Sequence, residues 1–389
     1  MSLSQPAANE PARSSSESPP QVPPGRRDPL APARPPRSRR RKILARVLYT
    51  FYLLAILEIG ARAFWCIKCG VPLFRMQDIL VGRFYPELRR SNVLTTSITK
   101  ADGYYDVLLL GGSVVSEDCG PTSRLLQEQL TERIGQPVRV FNCANLALSS
   151  RDSLIKYRML ADKEFDLVIH YEAINEIRMN NCSREMFKPD YSHSSWYRRI
   201  EGLSRHKELP FFVLPYSVEY LVVSSLDTPG AGWYIPRNFP IGGNWNDDGL
   251  DIKTEESFRR HLTEMIELAD ERGAQVLLMG YACYIPSDYT LEKFQAQALD
   301  YSGHVCPVES WGTPEGVTAG VAAHNVVLRE LGASFPHVFY VDQDALIPKS
   351  KLNFIDPCHL TAAGRQTFVD NIKGPIAQRV EQARLARKP

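Results

Sequence analysis

The stretch that decides the fold is DVLLLGGS, residues 106–113. After the opening Asp106, residues 107–110 are all large and apolar, and two glycines then lead to Ser113. A short apolar run of this kind is typical of a strand buried on both faces of a parallel sheet. The glycines permit a sharp turn at the strand's end. The sequence therefore predicts a buried strand that ends beside an accessible serine.

Outward from this stretch, apolar runs alternate with helical patterns. The predicted strands are 106–110, 138–143, 167–171, 275–279 and 338–342, and the predicted helices are 121–134, 150–162, 254–272, 316–332 and 361–384. Strands alternating with helices predict βαβ units and one five-stranded parallel sheet, an α/β fold. Residues 178–250 break the alternation and are rich in Trp, Tyr, Asn, Pro and Gly. We expect an insertion or cap over the sheet edge there.

The N-terminal part has a different composition. Residues 1–42 are rich in Pro, Ser and Arg, which predicts a disordered tail because little apolar surface is available to offset the entropy of ordering. Residues 43–65 follow, with an uncharged apolar centre at 47–57. That centre is short beside the roughly 20 residues of a typical span. Arg46 and Arg62 lie near the two ends, where long cationic side chains can reach the interface.

Aromatic residues also lie near the ends of this stretch, at Tyr49, Tyr52, Phe64 and Trp65, as interfacial anchors do. We interpret residues 43–65 as a transmembrane signal anchor. A signal peptide cleaved after the small-x-small sequence at 61–63 and an amphipathic or core helix are the alternatives. The long tail argues against cleavage.

Charge placement predicts the topology. Basic residues crowd into 34–42 with no acid among them, so we expect a single-pass protein with a cytoplasmic N-terminus. A connector at 66–103 and a domain at 104–385 would then lie outside the cytoplasm. The net charge of +2 gives no bulk attraction to nucleic acid, and none is expected as a partner.

Polar clusters follow three predicted strands, at Ser113, at 172–176 and at 356–360. In open parallel sheets, ligands bind beyond the carboxyl ends of the strands. Serine needs an adjacent base to act as a nucleophile, and His359 can serve. Asp356, three residues earlier, can accept the imidazole N–H and fix its tautomer. Taken singly, these residues are more often turn or capping residues, and only their convergence suggests catalysis.

Metal or cofactor chemistry has little support in the sequence. The eight cysteines are scattered, and only Cys66 and Cys69 form a CxxC pair. No second pair or nearby histidine completes a zinc set. We expect neither a metal nor an organic cofactor.

Together the clusters resemble the blocks of SGNH/GDSL hydrolases. DVLLLGGSVVSE (106–117) looks like the first block and NCANLALSS (142–150) like the second. EAINE (172–176) resembles the Gly-x-Asn-Asp block, and DPCHLTAAG (356–364) is close to the Asp-x-x-His block. The blocks occur in family order, and the resemblance covers roughly residues 104–385.

This resemblance implies a flavodoxin-like three-layer α/β/α fold and hydrolysis of esters. It places Ser113 as nucleophile, with Asp356 and His359 completing a triad. The backbone N–H groups of Ser113 and Ala147 and the Asn175 side chain would form the oxyanion hole.

Three positions depart from the family pattern. Ala147 and Ala173 stand where the family usually has glycine, and Glu176 stands where it has Asp. Alanine at 147 keeps its N–H, but a positive φ there would strain it. The sequence leaves that question open.

The predicted function is a membrane-anchored serine ester hydrolase that works through an acyl-enzyme. The expected substrate is an ester, such as an acylated carbohydrate or lipid, and the aromatic composition of 178–250 favours a polysaccharide. An O-acyltransferase with the same triad and a catalytically inactive SGNH-fold binding protein are the alternatives.

Overall fold

A computed structural model describes residues 39–226 and 247–386 of the chain. Its strands are β1 (Tyr105–Gly111), β2 (Val138–Asn142), β3 (Leu167–Tyr171), β4 (Gln275–Met279) and β5 (Val338–Val341). They form one sheet of order β2-β1-β3-β4-β5, and every neighbouring pair is parallel. The predicted five-stranded parallel sheet is confirmed.

The described residues also form helices. They are α1 (Arg39–Cys69), α2 (Ile79–Phe84), α3 (Glu87–Arg90), α4 (Thr122–Ile134), α5 (Ser150–Met159), α6 (Ile174–Asn180), α7 (Ser195–Arg205), α8 (Leu214–Leu226), α9 (Thr254–Glu271), α10 (Leu291–Gln295), α11 (Pro314–Ser334), α12 (Gln343–Leu346) and α13 (Ala362–Ala386).

Successive side chains of a strand point to opposite faces of the sheet. Because these strands are almost entirely apolar, both faces of the sheet are buried. On β1, Leu108 and Leu110 face a core that includes buried residues of α5 and α9. Val107 and Leu109 face the other core, which α4 and α13 complete. The fold is thus three-layered, as expected.

The chain divides into two compact units between Ile56 and Leu57. In the first unit, the helical residues 39–56 are exposed along their whole length. Helix α1 is long and apolar enough to cross a membrane. This agrees with a helix near the predicted place, although it runs from Arg39 to Cys69 and not from 43 to 65.

The second unit begins within α1, and two residues predicted at the membrane interface belong to it. Trp65 is fully buried and donates its indole N–H to Ser217 Oγ at 2.9 Å. Arg62 is only slightly exposed and bonds to Glu58 and to two backbone carbonyls. Neither side chain is placed as the sequence suggested, because both have partners in the folded domain.

The predicted connector at 66–103 also packs into this domain. Its buried side chains, among them Val71, Ile79 and Leu88, share the core on the α5–α9 side. This packing supports a domain that begins well before residue 104.

Within the described part of the expected insertion, 178–226 and 247–250, residues between 179 and 216 contribute buried side chains to the same core. The buried aromatic residues of this part include Tyr191, Tyr197 and Tyr216, which lie in the core that contains α5 and α9. These aromatic side chains pack in the core on that side of the sheet, and the prediction of an insertion or cap over the sheet edge stays a prediction. Residues 227–246 of the insertion lie outside the described residues.

Candidate active site

Ser113 lies directly after β1, and two glycines let it do so. Gly111 has a φ of +153°, and a Cβ there would lie 2.3 Å from the Tyr171 carbonyl oxygen. A Cβ at Gly112 would lie 1.9 Å from Glu172 Oε2. Neither position has room for a side chain. The turn therefore places Ser113 against the end of β3.

Ser113, His359 and Asp356 form one hydrogen-bonded chain. Ser113 Oγ lies 2.8 Å from His359 Nε2. His359 Nδ1 lies 2.9 and 2.8 Å from the two carboxylate oxygens of Asp356. Ser113 and His359 are separated by 246 positions in sequence, and the short loop before α13 brings the histidine next to the serine.

Asp356 is fully buried but well supplied with donors. Its Oδ1 accepts the backbone N–H groups of Cys358 and His359 at 3.1 and 2.9 Å. Its Oδ2 accepts the N–H of Cys306 at 3.1 Å. Backbone donors of this kind stabilise a carboxylate and fix its orientation, so Asp356 holds the imidazole with Nε2 toward Ser113.

Asn175 lies beside this chain in a saturated network. Its Oδ1 accepts the indole N–H of Trp311 at 3.1 Å. Indole nitrogen can only donate, which identifies Oδ1 as the acceptor and Nδ2 as the donor. Nδ2 donates to the Leu148 carbonyl and to Glu172 Oε2, both at 3.0 Å. An oxyanion bound here would have to share or replace one of these two acceptors.

Two buried glutamates, Glu172 and Glu176, lie on the Asn175 side of the site. Burial, with a smaller contribution from the nearby Glu176, raises the pKa of Glu172 to about 8, although the N–H donors of Asn175 oppose the shift. Burial likewise raises the pKa of Glu176 to about 7. Glu176 accepts the Ser150 N–H at 2.6 Å and the Tyr191 hydroxyl. The departure from Asp to Glu is therefore accommodated by partners on α5 and in the 178–250 segment.

Ala147 lies in the left-handed region, with a φ of +56°. This resolves the question that the sequence left open, because a Cβ in this region carries a steric penalty that glycine avoids. The loop nevertheless has side-chain support on both sides. Ahead of it, Asn145 Nδ2 donates to Glu87 at 2.8 Å. After it, Ser149 caps α5 in a capping box with Asp152.

Sequence reasoning missed three residues of the site, namely Glu172, Trp311 and Cys306. Trp311 is buried, and its ring centroid lies 6.4 Å from that of His359, so it contacts both halves of the site. Glu172 lies inside the third block, but its place in the site depends on the close approach of the Gly112 backbone to its carboxylate. The local sequence does not reveal that contact. Trp311 carried no signal beyond its residue type.

Cys306 lies close to Asp356 and His359, so three side chains of types that can bind a metal ion come together here. One donor atom from each of the three lies within 4.8 Å of the others. Asp356 and His359 already belong to the hydrogen-bonded chain that ends at Ser113. Burial raises the pKa of the Cys306 thiol to about 11. Burial also raises the pKa of the Cys358 thiol well above its usual range. These thiols are thus protonated at neutral pH, so neither is a thiolate nucleophile there.

No family model and no curated protein matches the chain. Among solved structures, it is similar to a GDSL-like lipase from Bacteroides thetaiotaomicron, with a TM-score of 0.41 and 11% identity over 76% of this chain and 98% of the lipase. It is also similar to an acetylxylan esterase from Geobacillus stearothermophilus, with a TM-score of 0.37 and 11% identity over 69% of this chain and 92% of the esterase. The solved structures similar to this chain thus include a GDSL-like lipase and an acetylxylan esterase.

Proposed function

We propose that the chain is a serine ester hydrolase of the SGNH type, held at a membrane by the apolar part of α1. The observation that carries this proposal is the hydrogen-bonded chain from Ser113 Oγ through His359 to Asp356. Serine becomes a nucleophile when a positioned base takes its proton, and the third group orients that base.

The reaction follows from this geometry. Ser113 Oγ attacks the ester carbonyl carbon while His359 Nε2 takes the hydroxyl proton. The tetrahedral intermediate collapses, the C–O bond to the alcohol breaks, and the alcohol leaves with the proton from His359. Water then attacks the acyl-enzyme, again giving a proton to His359, and the carboxylic acid leaves as Ser113 regains its proton.

The negative charge on the tetrahedral oxygen requires donors that are already in place. We assign the backbone N–H groups of Ser113 and Ala147 and the Nδ2 of Asn175 to this role. Trp311 supports the assignment because it fixes which end of the Asn175 amide faces Leu148 and Glu172.

We propose an acylated carbohydrate or lipid as substrate, in the space outside the cytoplasm. Support from the 178–250 segment for a polysaccharide is reduced, because three of its described aromatic residues, Tyr191, Tyr197 and Tyr216, are buried. Trp311 is the aromatic residue that contacts the triad histidine.

The test is hydrolysis of soluble acetyl esters by the purified full-length protein. Ser113→Ala should abolish turnover, whereas Ser116→Ala, at a neighbouring buried hydroxyl, should retain it. If Ser113→Ala retains hydrolysis within a few-fold of the parent, the nucleophile lies elsewhere and the proposal fails.

The same experiment separates the alternatives. With an added sugar acceptor, an acyltransferase would form an acylated sugar in place of free acetate. A binding protein would show no turnover with any ester and no dependence on Ser113. A reporter fused after residue 389 tests the topology, since activity on the cytoplasmic side would reverse it.

A further inference from the structure

Four large apolar side chains lie exposed on two loops of the second unit. They are Leu73, Phe74, Phe211 and Phe212, and we call them the loop patch. Phe74 is 86% exposed, Phe211 72% and Phe212 60%. The surfaces of soluble proteins rarely expose several large apolar residues together unless a protein, a membrane or a ligand binds there.

One arginine holds the two loops together. Arg62 donates from Nη1 to the Leu73 carbonyl at 2.8 Å and from Nη2 to the Phe211 carbonyl at 2.6 Å. Its Nε pairs with Glu58 at 2.7 Å. Because a single guanidinium bridges both carbonyls, the two loops that carry the exposed side chains lie side by side.

Helix α8 continues this apolar surface. Glu58 accepts the N–H groups of Val213 and Leu214 at 2.9 Å each, which caps the start of α8. The inner side of the helix is packed, with Trp65 bonded to Ser217. Val218 and Val222, four residues apart on the helix, are each 53% exposed. The outer side of a surface helix is normally polar, and an apolar outer side indicates that it faces another apolar surface.

The position of these contacts in the chain identifies what covers the surface. Glu58 and Arg62 follow the uncharged run that ends at Leu57 by one and five residues. Residues 43–57 rise by only about 22 Å as a helix, short of the roughly 30 Å hydrocarbon core. A span shorter than the hydrocarbon core thins the bilayer locally, which brings the interface closer to the residues that follow the span. Glu58 and Arg62 lie in those next turns and hold the loop patch and the start of α8 there.

We propose that the loop patch and the outer side of α8 are a lipid-binding surface that enters the outer leaflet beside the end of the span. The domain then lies against the bilayer through Phe74, Phe211 and Phe212. This inference rests on the proposed membrane anchor and deepens it, since it names the surface by which the folded domain meets lipid.

The experiment uses the full chain in phosphatidylcholine nanodiscs that contain a lipid with a diazirine on its acyl chain. After irradiation, mass spectrometry locates the labelled residues. We expect label in residues 43–57 and also at Phe74, Phe211 and Phe212. Val305 and Leu352, each 67% exposed, are matched apolar controls and should stay unlabelled.

Label confined to residues 43–57 overturns the proposal, because the patch would then face water or another protein. Equal label at Val305 and Leu352 also overturns it, since contact would be unspecific. No label in 43–57 would mean that the anchor itself is wrong, and the lipid surface fails with it. Ester hydrolysis in the same nanodiscs, measured for the parent and Ser113→Ala, tests the enzymatic proposal separately.

Discussion

Replacing Asn175 by Ala tests whether the saturated amide network serves catalysis. The substitution removes one of three proposed oxyanion donors, a loss that typically lowers kcat by about 10²–10³, or roughly 2.7–4 kcal/mol. In the structure, the Nδ2 group already donates to Leu148 and Glu172. Because a transition-state bond must replace one of these, we expect the lower end, about 10². KM should change little, since the donor acts on the transition state.

The same change costs stability. Asn175 loses three hydrogen bonds, to Leu148, Glu172 and Trp311. At about 1 kcal/mol each, the free energy of unfolding should fall by about 3 kcal/mol. A rate measured on a partly unfolded sample would therefore mislead, and kcat must be referred to the folded fraction, measured by urea denaturation in detergent.

Asn180→Ala is the matched control. Asn180 is a fully buried amide on the same helix α6, and its side chain bonds to Gly249 and Lys253 at 2.9 and 2.6 Å. It should lose about 2 kcal/mol of stability by the same estimate and keep its kcat. If Asn175→Ala and Asn180→Ala have equal kcat per folded molecule, the oxyanion role of Asn175 is refuted.

Three further predictions concern other parts of the site. Ala147→Gly should raise the free energy of unfolding, measured in urea, by about 0.5–1 kcal/mol. Glycine removes the steric penalty of alanine in the left-handed region, and this gain exceeds the cost of the extra entropy of glycine in the unfolded chain. A loss of stability would contradict the positive φ of Ala147. Burial raises the pKa of Glu172 from 4.5 to about 8, so stability should fall, by up to about 1.4 kcal/mol per pH unit, as pH rises between these values. Glu172→Gln removes this loss, so its free energy of unfolding should rise relative to that of the parent from pH 5 to pH 8. A difference in the free energy of unfolding that stays constant over this range would contradict the raised pKa of Glu172. Turnover should survive exhaustive treatment with EDTA, and loss of activity restored by zinc would overturn the metal-free mechanism.

The sheet could be predicted from sequence because its strands are short apolar runs that local composition reveals. The run 106–110, for example, lies within β1, Tyr105–Gly111. The candidate site could be placed at the carboxyl ends because parallel strands bring their ends to one edge. Asp356 and His359 were found together because they lie three residues apart on one loop.

Other features depend on contacts between distant parts of the chain. Trp311 bonds to Asn175 across 136 positions, and Arg62 bonds to Phe211 across 149. Nothing in the local pattern of charges distinguished an arginine that ties two loops from one that reaches lipid headgroups. The positive φ of Ala147 was likewise invisible, because alanine is not a residue type that indicates the left-handed region.

The most direct test of the central claim is the covalent capture of the nucleophile. The full-length protein is treated with a fluorophosphonate, and peptide mass spectrometry locates the adduct. We expect one adduct, on Ser113, that is absent from Ser113→Ala and forms much more slowly in His359→Ala because the base is gone. An adduct on another residue, or unchanged labelling of His359→Ala, would contradict the assignment of Ser113 and His359 as nucleophile and base.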